Sequence, residues 1–247
     1  MKLIVRCLFL LLAVLPLGQV QATDRPDNHI GIDDVAKILL KDELSTNLPA
    51  LERINNVLSH LEKRQAKYRS EEDFVEYMYY YTHRKLLKTY TEYPTLEETL
   101  IEGNYDCLTA TAVYAILLNE LNVSHAVIET NYHIYILVHP NSEKELLIET
   151  TDPMHGFVKD QEEIDASKNN YLKNNLKARN TLVTFDFNLE RKLEQKEIIG
   201  LLYYNQAIKH INEGNWQQAS QFANMASIYY TEDRVSTLLS MIDNFSL

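Results

Sequence analysis

The stretch that decides the fold runs 104-NYDCLTATAVYAILLNEL-121 and then 125-HAVIETNYHIYILVHPNSEKELLIETTDP-153. Its first part is apolar at Leu108, Ala112, Val113, Ile116, Leu117 and Leu121. That spacing predicts a helix buried on most sides, with Cys107 in its first turn. The period then changes. Residues 126–128, 134–138 and 146–148 are short β-favouring runs. Asn141-Ser142 before Glu143-Lys144 marks a turn, so the three runs predict an antiparallel meander. Asp152-Pro153 closes it, because the residue before a proline resists helix.

Upstream the pattern is helical. Over 32–66, Leu51, Ile54, Leu58 and Leu61 make one apolar stripe. Ser70-Glu71-Glu72-Asp73 opens a second helix that runs to about residue 88, with Phe74, Tyr77, Met78 and Tyr81 on one side. The aromatic run 77–81 reads as core packing and not as a base-stacking platform, since no basic stripe accompanies it in sequence. Thr95-Leu96-Glu97-Glu98 is a capping box for a short helix that ends near Gly103. Downstream, 182–187 reads as one more strand. From Leu189 the chain is helical again, with breaks at Glu213-Gly214-Asn215 and near Thr231. Helices, then strands, then helices predict an α+β fold with a helical tail.

Composition narrows the function. With 45% hydrophobic and 24% charged residues in 247, wholesale disorder and a collagen-like repeat are out. The formal charge of -11 (24 minus 35) argues against nucleic acid or an anionic membrane as the main partner. It mildly favours neutral or basic substrates. Neither G-x-G-x-x-G nor G-x-x-x-x-G-K-[ST] occurs, which removes the usual support for nucleotide chemistry of those kinds.

The first residues read as an address. Lys2 and Arg6 precede an apolar run over 7–17, and Val20-Gln21-Ala22 offers small residues for a signal peptidase. The expectation is a signal peptide over 1–22, cleaved after Ala22, and a periplasmic or secreted chain with no membrane span after cleavage. The alternative is an uncleaved anchor, for which the run is short. Cleavage removes Lys2, Arg6 and Cys7, leaving a charge of 22 minus 35, or -13, and Cys107 as the lone cysteine. A lone thiol in an exported chain is either a reactive group or a small buried hydrophobe.

Its surroundings favour the first. At a helix start, backbone N–H groups and the helix dipole favour a thiolate, while Asp106 next door opposes it. A thiolate nucleophile needs a base, and the base needs an orienting group. His133 begins the second strand and Asp152 ends the third. Adjacent antiparallel strands bring the start of one beside the end of the next.

Asp106-Cys107 at the helix start, 133-HIYILV-138 and 148-IETTDP-153 together resemble the transglutaminase-like superfamily, whose core is papain-like. The lead-in of residues 74–88, Tyr93-Pro94 and 96–100 is similar too, so the resemblance spans roughly residues 70–155. It implies a cysteine-bearing helix packed on a small antiparallel sheet. It implies Cys107 as nucleophile, His133 as general base and acid, and Asp152 as the group that fixes the imidazole. Beyond the Cys107 N–H, Asn104 and Tyr105 are candidates for the second oxyanion donor. The chain departs from the family pattern in three places. Tyr105 stands where the family has glycine, the residue after His133 is not small, and the strand lacks tryptophan.

Residues 202–231 resemble a tetratricopeptide repeat, with Tyr203, Ala207, Gly214, Trp216, Ala219, Ala223 and Ala226 at its large and small positions. One repeat and a trailing helix (Val235, Leu238, Leu239, Ile242) predict a cap on the main domain, or alternatively a docking platform for a protein partner. The expected organisation is a signal peptide (1–22), a transglutaminase-like domain (23–187) and a helical tail (188–247). The expected function is an exported cysteine hydrolase, a protease or amidase acting on a protein or peptide. The alternatives are a catalytically inactive binding or scaffold module and a structural protein of the cell envelope. No organic cofactor or metal is implied. His125, His139, His155 and Asp152 fit no compact zinc spacing, and His29, His60, His83 and His210 read as ordinary surface or core residues.

Overall fold

The computed structural model describes residues 48–139, 144–175 and 190–245. The signal peptide, the first half of the helix expected over 32–66, the turn at Asn141-Ser142 and the strand expected over 182–187 lie outside the described residues. The architecture is α+β, a small antiparallel sheet with helices before, against and after it.

Two antiparallel helices open the described chain, α1 (Leu48–Gln65) and α2 (Glu71–Leu86). α1 buries Ala50, Ile54, Val57, Leu58 and Leu61. α2 starts where Ser70 Oγ accepts from the Asp73 N–H at 3.1 Å. Its acids sit at the N-terminus and Arg84 and Lys85 in the last turn, as the helix dipole prefers. Phe74 and Met78 are buried as expected, whereas Tyr77 and Tyr81 lie half-buried at the margin.

A short parallel pair, β1 (Thr89–Tyr90) with β2 (Asn104–Tyr105), brackets α3 (Leu96–Ile101). The expected capping box of Thr95 and Glu98 is formed, with both reciprocal bonds present. α4 (Cys107–Glu120) follows, and every side chain from Leu108 to Leu118 is buried. Asp106 is its N-cap. Its Oδ1 accepts from the Thr109 N–H at 2.8 Å, and Thr109 Oγ1 accepts from the Asp106 N–H at 3.1 Å.

The sheet contains β3 (His125–Thr130), β4 (Ile134–Val138), β5 (Leu146–Ile148), β6 (Phe157–Val158) and β7 (Glu190–Leu193), in the order β6-β5-β4-β3-β7, antiparallel throughout. Alternation sorts its side chains between two sides. Ile134, Ile136, Val138, Leu146 and Ile148 join the main core with α4. Tyr135, Leu137 and Leu147 turn the other way, onto Ile164 and Tyr171 of α5 (Gln161–Asn175).

The C-terminal helices are α6 (Gln195–Asn212), α7 (Trp216–Tyr229) and α8 (Asp233–Phe245). α6 and α7 form the close pair that the small residues predict, with Ala207, Ala219, Ala223 and Ala226 fully buried. A Cβ at Gly200 would stand 2.4 Å from Tyr230 Cβ, so that approach requires glycine. Gly214, at φ +76, ends α6. β7 falls inside the range read as a helical tail. Its sequence, ERKL, looks like a charged helix start, yet it pairs with β3 as an edge strand. Charged residues suit an exposed edge.

Buried polar bonds also join the tail to the sheet. Glu129 on β3 accepts from Tyr230 Oη at 2.9 Å, pairs with Arg234 of α8 and lies 3.3 Å from Arg191 Nε of β7. Arg191 also pairs with Glu197 of α6 at 3.0 Å. Among the described residues no helix is long and apolar enough to cross a membrane.

Candidate active site

Cys107 takes the first position of α4 and keeps partial exposure. Burial, then the charges of Asp106 and Glu149, push its thiol up to about 12, and the N–H groups of the helix start offset only part of this. The sulfur is therefore a neutral thiol near pH 7. The carbonyl of Cys107 accepts from Thr150 Oγ1 at 3.3 Å, and the same hydroxyl lies 3.3 Å from Thr111 Oγ1. These bonds tie the end of β5 to the first turn of α4.

His133 follows the two-residue turn Asn131-Tyr132. The Thr130 N–H donates to the His133 carbonyl at 2.8 Å, and the His133 N–H donates to Thr130 Oγ1 at 3.1 Å. This hairpin fixes where the ring stands. Its Nε2 lies 2.5 Å from Glu149 Oε2, and the ring packs 4.7 Å from that of Tyr171.

Glu149 is held from several directions. Oε1 accepts from the Thr151 N–H at 3.0 Å and Thr151 Oγ1 at 2.6 Å, and Oε2 accepts from Tyr171 Oη at 2.8 Å. Burial alone would push its carboxyl up. The hydrogen bond and charge of His133, with the two bonds from Thr151, outweigh that and hold it below the usual value. Tyr171 is pushed well above a normal phenol by burial and by Glu149, so it stays a donor.

Asp152 does not orient the imidazole. Its Oδ1 accepts from the Met154 and His155 N–H groups at 3.0 and 2.9 Å, which closes a local turn. Its carbonyl accepts from Tyr79 Oη and, at 3.0 Å, from the Gly156 N–H. The physical reason is register. Ile136 faces Ile148 and Leu137 faces Leu147, so odd-numbered side chains of the two strands share a side. His133 and Glu149 belong to that set. Asp152 falls past the strand, in the turn. Parity was the signal for Glu149, and it needs the register of β4 against β5, which sequence alone leaves open.

Gly156 seals this corner. A Cβ there would come within 2.1 Å of the Glu149 carbonyl oxygen, 2.3 Å of Tyr79 Oη and 2.5 Å of the Asp152 carbonyl oxygen.

Cys107, His133 and Glu149 lie at one end of the sheet, with Thr150 between the thiol-bearing helix and the carboxylate. The dyad stands on the α5 side and α4 packs on the other. Among the described residues no hydrogen bond joins Cys107 Sγ to His133. The structure thus brings His133 and Glu149 into contact and leaves the thiol apart from them. Of the oxyanion candidates, Asn104 directs its side-chain amide to Glu102 Oε2 at 2.9 Å. Tyr105 is buried, with its ring against His83 and Tyr90.

His83, read from the sequence as an ordinary surface or core residue, is a core residue. It lies buried on α2, 5.5 Å from the Tyr105 ring, and its Nε2 has no partner among the described residues. Burial pushes its imidazole down, with the Thr150 and His83 carbonyls offsetting part. The tail reaches the site as well, for Asn205 of α6 donates to Asp106 Oδ2 at 3.4 Å.

The other histidines bond separately. His125 Nδ1 is 2.9 Å from the Val123 carbonyl oxygen, His139 Nε2 is 2.7 Å from Glu71, and His155 Nδ1 is 3.8 Å from Asp152. Among the described residues no group of three or more metal-ligating side chains is gathered. Compared with protein-family models, curated proteins and solved structures, the chain finds no match.

Proposed function

We propose that this chain is an exported cysteine hydrolase of transglutaminase-like type, with a papain-like core, acting on an amide or peptide carbonyl of a protein or peptide. Cys107 is the nucleophile, His133 the base and acid, and Glu149 the orienting carboxylate. The observation that carries the reading is the His133–Glu149 pair at the end of the sheet where Thr150, next to Glu149, holds the carbonyl of Cys107. A carboxylate on Nε2 favours the tautomer with its proton there, which leaves Nδ1 as the basic nitrogen.

In the reaction His133 Nδ1 takes the Sγ proton and the sulfur attacks the carbonyl carbon. The oxyanion collapses, the C–N bond breaks, and the amine leaves with the proton from His133. Water then attacks the thioester, again deprotonated by His133, and the C–S bond breaks to return the thiol. Since Sγ and the imidazole are not hydrogen-bonded, substrate binding must first bring them together. The same observation, with the neutral thiol, favours a second reading in which Cys107 is a packing residue and the chain is a binding or scaffold module.

Intact-mass measurement of the mature chain after exposure to nitrophenyl esters of acylated amino acids separates the two. The first reading expects a single acyl adduct on Cys107 that is absent in Cys107→Ser and strongly reduced in His133→Ala. A folded chain that never acylates at Cys107, with any of a panel of such esters, supports the second.

A further inference from the structure

We propose that the outer side of the α1–α2 hairpin is a docking strip for an extended acidic polypeptide segment. On α1, Arg53, His60 and Arg64 recur at i, i+7 and i+11, which is one stripe of a helix, and Lys67 follows in the turn just past its end. On α2, Tyr77, Tyr81, Arg84 and Lys85 fall at i, i+4, i+7 and i+8, a second stripe. The fold lays them side by side. His60 Nε2 is 2.7 Å from Tyr77 Oη, and its ring stacks on Tyr81 with centroids 4.2 Å apart. Arg64 lies over Tyr77 at 5.0 Å and donates to its hydroxyl at 3.4 Å. Arg84 and Lys85 lie 5.9 and 5.8 Å from the Tyr81 centroid, and Arg53 donates to the Lys85 carbonyl at 3.2 Å. The basic stripe that the sequence did not show is there, assembled from two helices.

Its charge is not neutralised locally. Among the described residues no carboxylate pairs with Arg64, Lys67, Arg84 or Lys85. The acids that begin α2 are drawn elsewhere, Glu71 to His139 at 2.7 Å and Glu72 and Glu76 to Lys159 at 3.6 and 3.0 Å. The charges acting on His60 come from Arg64, Lys85, Lys63 and Lys67, and after burial they help to hold its imidazole low. On a chain of net charge -11 this is a concentrated positive field, and it calls for an anionic partner.

The side chains narrow the class. The ring faces are covered by one another and by cations, so nucleobases find no free stacking platform. The aliphatic residues Ile54, Val57, Leu58 and Leu61 point into the core, so the stripe has no apolar anchor for a lipid layer. Arg53 to Arg64 spans about 16 Å of helix. An extended peptide covers that length with about five residues, and its alternate side chains fall about 6.6 Å apart on one side. Carboxylates at alternate positions then meet the guanidinium and ammonium groups, with Arg64 and Arg84 suited to two-pronged pairing. Tyr77 and Tyr81 are two residues out of phase with Tyr79 and His83, which face the candidate active site. The strip is therefore a separate surface, and its existence does not depend on the chemistry of Cys107.

The test is fluorescence anisotropy with the mature full-length chain and a labelled ten-residue peptide of alternating Glu and Ser. Binding is expected at low salt and should weaken about tenfold or more between about 50 and 200 mM salt. The pair Arg64→Glu/Arg84→Glu should weaken it at least tenfold, and the milder Arg64→Gln/Arg84→Gln should do so in part with an unchanged circular dichroism spectrum. Lys192→Glu, on the exposed edge strand, should leave it unchanged. Three results would overturn the proposal: no peptide binding at low salt, binding indifferent to both Arg pairs, or tighter binding of an oligothymidine or of anionic lipid vesicles than of the peptide.

Discussion

His133 Nε2 and Glu149 Oε2 lie 2.5 Å apart, on the side of the sheet opposite the helix that carries Cys107. The pair is secured by the Thr130 hairpin on one strand and by Thr151 and Tyr171 around the other. It lies at the sheet end where Thr150 holds the Cys107 carbonyl. A base, an orienting acid and a thiol thus share one corner of the fold, with the thiol still to be engaged.

Glu149 and Asp152 should separate in function. Glu149→Gln should lower acylation of Cys107 by about 10² to 10⁴-fold, because the imidazole loses the carboxylate that fixes its tautomer and balances its charge. Asp152→Asn should leave that rate within about threefold and cost about 1 kcal/mol of stability through the weakened turn. Burst kinetics and urea unfolding on both variants check this. Equal losses of rate would return the orienting role to Asp152.

Gly156→Ala should destabilise the fold by about 1–3 kcal/mol, since its Cβ enters space held by two carbonyl oxygens and the Tyr79 hydroxyl. It should also slow acylation, by displacing the segment that carries Glu149. The urea midpoint reads the first effect. A variant as stable as the parent would show that this corner yields.

How much of this was legible in the sequence differs by element. The strands at 134–138 and 146–148 and the cysteine at the start of a buried helix follow from short-range patterns, period 2 and an apolar run, and they appear with the expected bounds. The caps at Ser70 and Thr95 are equally local. Glu149 was not legible, because a partner choice between positions 149 and 152 depends on inter-strand register. α5 was missed because its stretch is polar, and among its described residues the apolar contact with the sheet comes from Ile164 and Tyr171. β7 was missed because an edge strand tolerates charge. The cationic strip was missed for a different reason. Its members sit on two helices, and a pattern within one segment cannot show them together.

The tail and the sheet should unfold as one unit. Glu129→Ala leaves Arg191, Arg234 and Tyr230 without their shared acceptor. Breaking such a buried pair costs about 3–5 kcal/mol. Circular dichroism and tyrosine fluorescence should both report a single transition at lower urea. Two separated transitions in the parent chain would instead mark 188–247 as an independent domain.

Stability should fall in two acid steps. Burial pushes His83 below the usual imidazole value of 6.5 in the folded chain. The unfolded chain therefore binds the extra proton first, and stability present above about pH 6.5 declines below it, by at most about 1.4 kcal/mol per pH unit. Glu149 is held below the usual carboxyl value of 4.5. Its contribution is complete above that value and fades as pH falls toward the folded pKa. Urea midpoints measured against pH should show both steps. His83→Phe should remove the first, and a slope that persists in that variant would assign it to another group.

The most direct test is the pH dependence of single-turnover acylation of Cys107, in the parent chain and in His133→Ala. A thiol acting through His133 gives a rate that rises as an imidazole loses its proton and then levels, and that drops about 10²-fold or more without His133. A thiol acting alone, pushed up to about 12, gives a rate that keeps climbing with hydroxide and is the same in both proteins. The first result is the one predicted here. The second would contradict it and make Cys107 a packing residue.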